Sequence, residues 1–229
     1  MSFRIMSAGK CVVAALMISL AGAEARDGAH LIPVEPMFGS NEPYANTYSK
    51  LVEEKLFTGS NWLIRYHFVS KAEIGLSITK RQNGRLLLTV KQAEPTLEYV
   101  TTNAYRKFLK WNLKSALKSV EFHEAHAELP ESTVTAIQGF WISLLSDVRP
   151  PPAVSGDKTL VLGVKVTLSA KATDGKILQG ELPADADKDR RLHTVEEIFE
   201  DLIGICEQPN SAHEHLFERI ERRIQSAGR

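Results

Sequence analysis

Cysteine is scarce: Cys11 and Cys206 are the two in 229 residues. Cys11 falls in an N-terminal leader, so the exported chain keeps one thiol and can close no internal disulfide. Stability must come from packing. Charge of one sign is missing as well. The 28 basic residues lose Arg4 and Lys10 with the leader and the 28 acidic residues lose Glu24, which leaves a net charge of −1. That balance excludes bulk electrostatic capture of nucleic acid as the main function. There is no G-x-S-x-G, no C-x-x-C and no phosphate-binding glycine loop. The apolar run from Cys11 to Ala23 is too short to span a bilayer comfortably, so no integral membrane protein is expected after the leader is removed.

What is present begins with that leader. Arg4 and Lys10 precede the apolar run, which ends in Ala23-Glu24-Ala25, the small-residue pattern of a signal peptidase site. Residues 1–25 therefore read as a signal peptide cut between Ala25 and Arg26, and the product as periplasmic or secreted. Residues 26–40 carry prolines without periodicity and read as a loose lead-in. Residues 41–229 read as a single compact α+β domain, long enough to bury one sizeable core.

Within it, Tyr44, Tyr48, Leu51, Val52 and Leu56 recur at helical spacing, with Asn41 as cap, Pro43 in the first turn and Gly59 beyond the end. Trp62, Ile64, Tyr66 and Phe68 then alternate with Leu63, Arg65, His67 and Val69. Ile74, Leu76 and Ile78 form a second alternating run, and Asn83-Gly84 turns the chain into Leu86, Leu88 and Val90. Asn-Gly between such runs signals a hairpin, so a three-stranded antiparallel meander is predicted. From Asn103 to Glu128 there is no Gly or Pro. Tyr105, Leu109, Leu113, Ala116, Val120 and Ala127 fall on one stripe there, which predicts one long or kinked helix. A shorter helix follows Pro130, with Val134, Ile137, Trp141, Leu144, Leu145 and Val148 inward, and stops at Pro150-Pro151-Pro152. A second hairpin is expected from Leu160–Ala170 to Ile177–Leu182 around Asp174-Gly175, then helices near 195–207 and 212–226. The predicted fold is antiparallel hairpins packed against amphipathic helices.

The W-x-x-[LM]-L run at Trp141, Leu144 and Leu145, a hairpin ending in Gly180-Glu181, and the closing amphipathic helix resemble a group of exported bacterial α+β proteins with no assigned activity. The resemblance covers the chain from Trp141 onward. It implies a fold and no chemistry.

Three motifs invite chemistry. In Asp185–Glu196 (DADKDRRLHTVE), Asp185, Asp187, Asp189 and Glu196 fill the first, third, fifth and twelfth positions of an EF-hand loop, with the Arg191 carbonyl at the seventh and Leu192 at the eighth. The sixth position needs glycine and holds Arg190, and a strand precedes the loop where a helix is required. The same glutamates fit a capping box of Thr194 and Glu197 on a helix whose dipole favours acid in its first turn. No required cofactor is expected, with at most weak calcium binding.

In FHEAHAE, His123 and His126 are three apart, one short of the zincin spacing; His213 and His215 are distant donors for zinc. On the predicted helix His123 is a core-edge residue. Ser115 and Lys118 match S-x-x-K but lack the accompanying S-D-N and K-T-G, and Ser155 and Lys158 repeat the spacing by chance. Cys206 shares an apolar stripe with Val195, Phe199 and Leu202, which points to packing.

The last feature is electrostatic. Arg106, Lys107, Lys110, Lys114 and Lys118 follow one another with no acidic residue between Thr101 and Val120. On one helix they lie opposite Leu109 and Leu113, and would dock an acidic envelope or foreign protein, or serve as a solvated face. The sequence therefore suggests an exported, non-enzymatic binding or inhibitor/immunity-type module, with catalytic residues unassigned. The alternative is an envelope hydrolase with calcium at 185–196 or zinc at His123 and His126. A cleft that collects His67, His123 or His126 with carboxylates would favour the hydrolase.

Overall fold

The structure, a computed structural model, describes residues 30–31, 33–34, 43–57, 59–106, 113–149, 165–183, 186–208 and 213–228. The elements run α1 (Pro43–Lys55), β1 (Trp62–Val69), β2 (Glu73–Lys80), β3 (Leu86–Glu94), α2 (Leu97–Arg106), α3 (Leu113–Ala116), β4 (Glu121–Leu129), α4 (Glu131–Leu145), β5 (Lys165–Lys171), β6 (Ile177–Glu181), α5 (Arg190–Glu207) and α6 (His213–Ala227). The six strands form one antiparallel sheet in the order β4-β3-β2-β1-β5-β6. The α+β fold class and the meander β1-β2-β3 are as the sequence predicts. Gly84 and Gly175, at the two hairpin turns, have φ of 81° and 83°, a region closed to most side chains.

Strand period two divides the sheet into unlike faces. One presents Ile64, Tyr66, Leu76, Ile78, Leu88, Val90 and Leu168 to α4, α5 and α6, where Ile137, Trp141, Leu192, Ile198, Leu202 and Ile220 close the main core. Tyr66 stacks on Phe199 with ring centres 4.0 Å apart. The other face carries Arg65, His67, Glu73, Gly75, Lys165, Thr167 and Ser169. Here α1 and α2 form a smaller apolar cluster of Tyr48, Leu51, Val52, Leu56, Leu97 and Val100, to which Ala93 is the sheet's contribution. Gly75 lets α1 come close: a Cβ there would stand 2.7 Å from Leu56 Cβ.

Two sequence expectations fail. The long helix over 103–128 does not reach its predicted end: a 3₁₀ turn occupies Leu117–Ser119, Val120 is extended, and 121–129 is strand β4. Ala125, Ala127 and Leu129 alternate with Glu124, His126 and Glu128, a period-two pattern. Pairing with the whole of β3 overrides the helix preference of Ala and Glu. The capping box fails too. Helix α5 starts earlier, at Arg190, with Asp189 as its cap: Asp189 Oδ1 accepts from Arg191 N at 2.9 Å and Leu192 N at 3.0 Å. Thr194 lies inside the helix and donates to the Arg190 carbonyl, and Glu197 pairs with Arg223 on α6.

Candidate functional site

Between α1 and the polar face of the sheet lies a cleft of about 360 Å³. Its apolar wall is Val34, Ala45, Val52 and Phe57, with the ring of Tyr48. Its floor is Arg65 and His67 from β1, Lys165, Thr167 and Ser169 from β5, and Gln179 from β6. Strand register sets the floor: Arg65 lies opposite Ser169, His67 opposite Thr167 and Val69 opposite Lys165. Two cationic groups therefore stand at opposite ends of a row of hydroxyls, about 13 Å apart along the strand.

Arg65 is fixed from several sides. Its guanidinium lies over the rings of Phe57 at 4.7 Å and Trp62 at 4.5 Å. Its Nη1 donates to both carboxylate oxygens of Glu53 at 2.8 Å, while its Nε is buried with no acceptor among the described residues. Lys165 pairs with Glu181 at 3.1 Å. Gln179 Nε2 donates to Ser169 Oγ at 3.3 Å.

Behind His67 stands Glu73, fully closed to solvent. A buried carboxylate needs donors on both oxygens, and it has them. Tyr48 OH donates to Oε1 at 2.8 Å, His67 Nε2 lies 2.9 Å from the same oxygen, and the backbone N–H of Glu98 donates to Oε2 at 3.1 Å. Glu73 thus ties α1, β1 and the first turn of α2 to β2. It also fixes His67: with Nε2 donating to the carboxylate, the neutral ring carries its lone pair on Nδ1. Burial, and next the charge of Glu73, push the Tyr48 hydroxyl well above the ordinary phenol range. Burial, then Glu73, also raise the Glu98 carboxyl, against the opposing charges of Lys165 and His67.

The residues singled out in the sequence are scattered. Lys107, Lys110 and Asp185 lie outside the described residues, as do the side chains of Arg106 and Asp187. Lys114 sits in the four-residue α3 and Lys118 in the 3₁₀ turn, both exposed, with Ser115 beside them. The helix expected to carry all five does not run through to Glu128: Lys118 lies in a 3₁₀ turn and the chain is extended from Val120. Asp189 spends one oxygen on the cap of α5, and Glu196 lies two helical turns on, about 10 Å along the axis. Its carboxylate is 3.5 Å from His193. Helix α5 thus begins at the sixth position, where an EF-hand loop is still turning.

The zinc pair is corrected by the strand. His123 lies opposite Gln92 and His126 opposite Thr89, on the two faces of the sheet. The two rings cannot share an ion. His126 Nδ1 is 3.1 Å from Thr89 Oγ1, and His213 Nε2 is 2.9 Å from the Gln208 carbonyl. Cys206 is half-buried, and burial, then Glu207, push its thiol up to about 12, which suits packing and not nucleophilic attack.

Sequence reasoning flagged His67 but missed Tyr48, Arg65, Glu73 and Lys165 as a group. The available signal was the pair Arg65 and His67 on one face of β1, repeated by Lys165, Thr167 and Ser169 on one face of β5. Among the described residues no helix is long and apolar enough to cross a membrane. No protein-family model, curated protein or solved structure matches this chain.

Proposed function

We propose that this is an exported, non-enzymatic binding protein whose ligand seat is the cleft between α1 and the polar face of the sheet. The export half of the reading rests on the leader Met1–Ala25. The binding half rests on one observation: apolar walls facing a floor of directed polar groups, in a volume suited to a small molecule. A concave seat of this kind favours a small ligand over a docked protein, because a protein partner needs a broad surface. An uncharged fluorescent probe, N-phenyl-1-naphthylamine, is the direct test. It should bind one-to-one, and Ser49→Trp, on the exposed rim of α1, should abolish binding while leaving the circular dichroism spectrum unchanged. Equal binding by wild type and Ser49→Trp would sink the reading.

A second reading, an envelope hydrolase, is favoured by one observation: His67 lines the cleft with the buried carboxylate of Glu73 behind it. A carboxylate that orients an imidazole is half of a general-base apparatus. Hydrolysis of p-nitrophenyl acetate that His67→Gln removes would put this reading first.

A further inference from the structure

We infer that the ligand of this cleft is an amphipathic organic anion, with its charged end on Arg65 and its apolar body along Tyr48, Val52 and Phe57; the inference rests on the cleft being a binding seat. Four carboxylates stand near the cations, so the sign of the ligand has to be argued from which of them can leave. Glu73 cannot, because it is fully buried and accepts from three groups. Glu98 gives its backbone N–H to Glu73, and its own carboxyl is held toward the neutral form by burial and by that neighbour. Glu181 pairs with Lys165 where both side chains are less than a fifth exposed, 16% and 18%.

Glu53 differs. Its side chain is 61% exposed while its partner Arg65 is 11% exposed. The buried member of this pair belongs to the sheet, and the exposed member hangs from α1 over the rim. Releasing Glu53 into water costs little, because an exposed carboxylate is readily hydrated. What remains is a guanidinium lying over two aromatic rings, with its Nη1 vacated. The anionic group of a ligand can take the place of the Glu53 carboxylate there. Glu53 thus occupies the place that a ligand's own anionic group would take. A cation would meet Arg65 and Lys165 at the two ends of the floor and gain only Glu53 at the rim. An uncharged ligand would leave the Arg65–Glu53 pair as it is.

Paired titrations test this on the folded protein. The probes are 1-anilinonaphthalene-8-sulfonate and the uncharged N-phenyl-1-naphthylamine, of nearly the same shape, at fixed ionic strength. The anionic dye should bind about tenfold tighter than the uncharged one. Arg65→Met, which keeps the apolar stem, should erase that preference, so that the two dyes bind with equal affinity. Glu53→Gln, at an exposed site that tolerates change, should tighten the anionic dye several-fold and leave the other unchanged. Equal affinity for both dyes in the wild type, or a preference unaffected by both variants, overturns the anion while the cleft itself stands. Failure of the uncharged dye to bind the wild type removes the cleft reading instead, and the inference with it. If Arg65→Met does not fold, Glu53→Gln decides alone.

Discussion

Toward α4, α5 and α6 the sheet turns Ile64, Leu76, Ile78, Leu88 and Leu168, all closed to solvent. Toward α1 it turns Arg65, His67, Glu73, Thr167 and Ser169. The first face meets its helices over interlocking apolar side chains, and its energy is spread across many contacts. The second meets α1 at a few places: Leu56 against Gly75, and Tyr48 on the carboxylate of Glu73. Where apolar contact stops, α1 bridges over polar ground and the cleft opens beneath it. A sheet packed alike on both sides would have no room for a ligand. The difference between the faces separates the part of the molecule that holds it folded from the part where the cleft lies.

The largest effect is expected on the apolar face. Trp141, fully buried on α4 against Tyr66, should cost about 4 kcal/mol when replaced by Ala, read as the loss in urea unfolding free energy. That is a large share of a typical domain's stability. Glu73→Ala comes next. It strands three donors, and at about 2 kcal/mol its cost should be local. Hydrogen exchange should quicken in α1 and at the start of α2 while α4, α5 and α6 keep their protection. If Glu73→Ala loosens α5 as much as α1, the two faces do not act separately and the comparison is broken.

The smallest effect concerns pH. Burial and Glu73 raise the Glu98 carboxyl above its ordinary range. Between the unfolded value and the raised one the folded protein binds the extra proton, so this group withdraws stability as pH rises through that window. Glu98→Gln should therefore raise Tm by about 1 °C at pH 7, and the gain should vanish near pH 4, where wild-type Glu98 is itself neutral. A variant no more stable than wild type at pH 7 would mean that the favourable dipole of the first turn of α2 outweighs the burial of this carboxyl.

The hairpins were legible because their signal is local: Asn83-Gly84 and Asp174-Gly175 supply the turn residues, and the flanking runs alternate. Helix α4 was legible from its stripe and from Pro130 at its cap. Strand β4 was not, because Glu121–Leu129 is rich in helix-favouring Ala and Glu, and its reason for being extended is β3, thirty-odd residues earlier. The cleft was hidden for a similar reason. Its walls and floor come from α1, β1, β5 and β6, and a motif search sees only residues close together in the chain. Glu73 gave one sign that could have been caught: a lone carboxylate at the head of an apolar strand, Glu73-Ile74-Gly75-Leu76, which has to find donors if that strand is central.

The position of β5 has a consequence for how the molecule comes into being. His67 and Thr167 face each other across the floor of the cleft, yet they stand a hundred positions apart in the chain. Strands β1, β2 and β3 can pair as soon as they exist, since each follows its neighbour through a short turn. The join of β1 to β5 waits until α4 has passed across the apolar face and the second hairpin has been supplied. Contacts between distant parts of a chain are slow to form and come late. Until then β1 has a bare edge, the kind that pairs wrongly with other chains. The cleft straddles that join, so it appears only when the sheet is closed. Under the proposed reading, a ligand seated there would hold the two sides of that seam together.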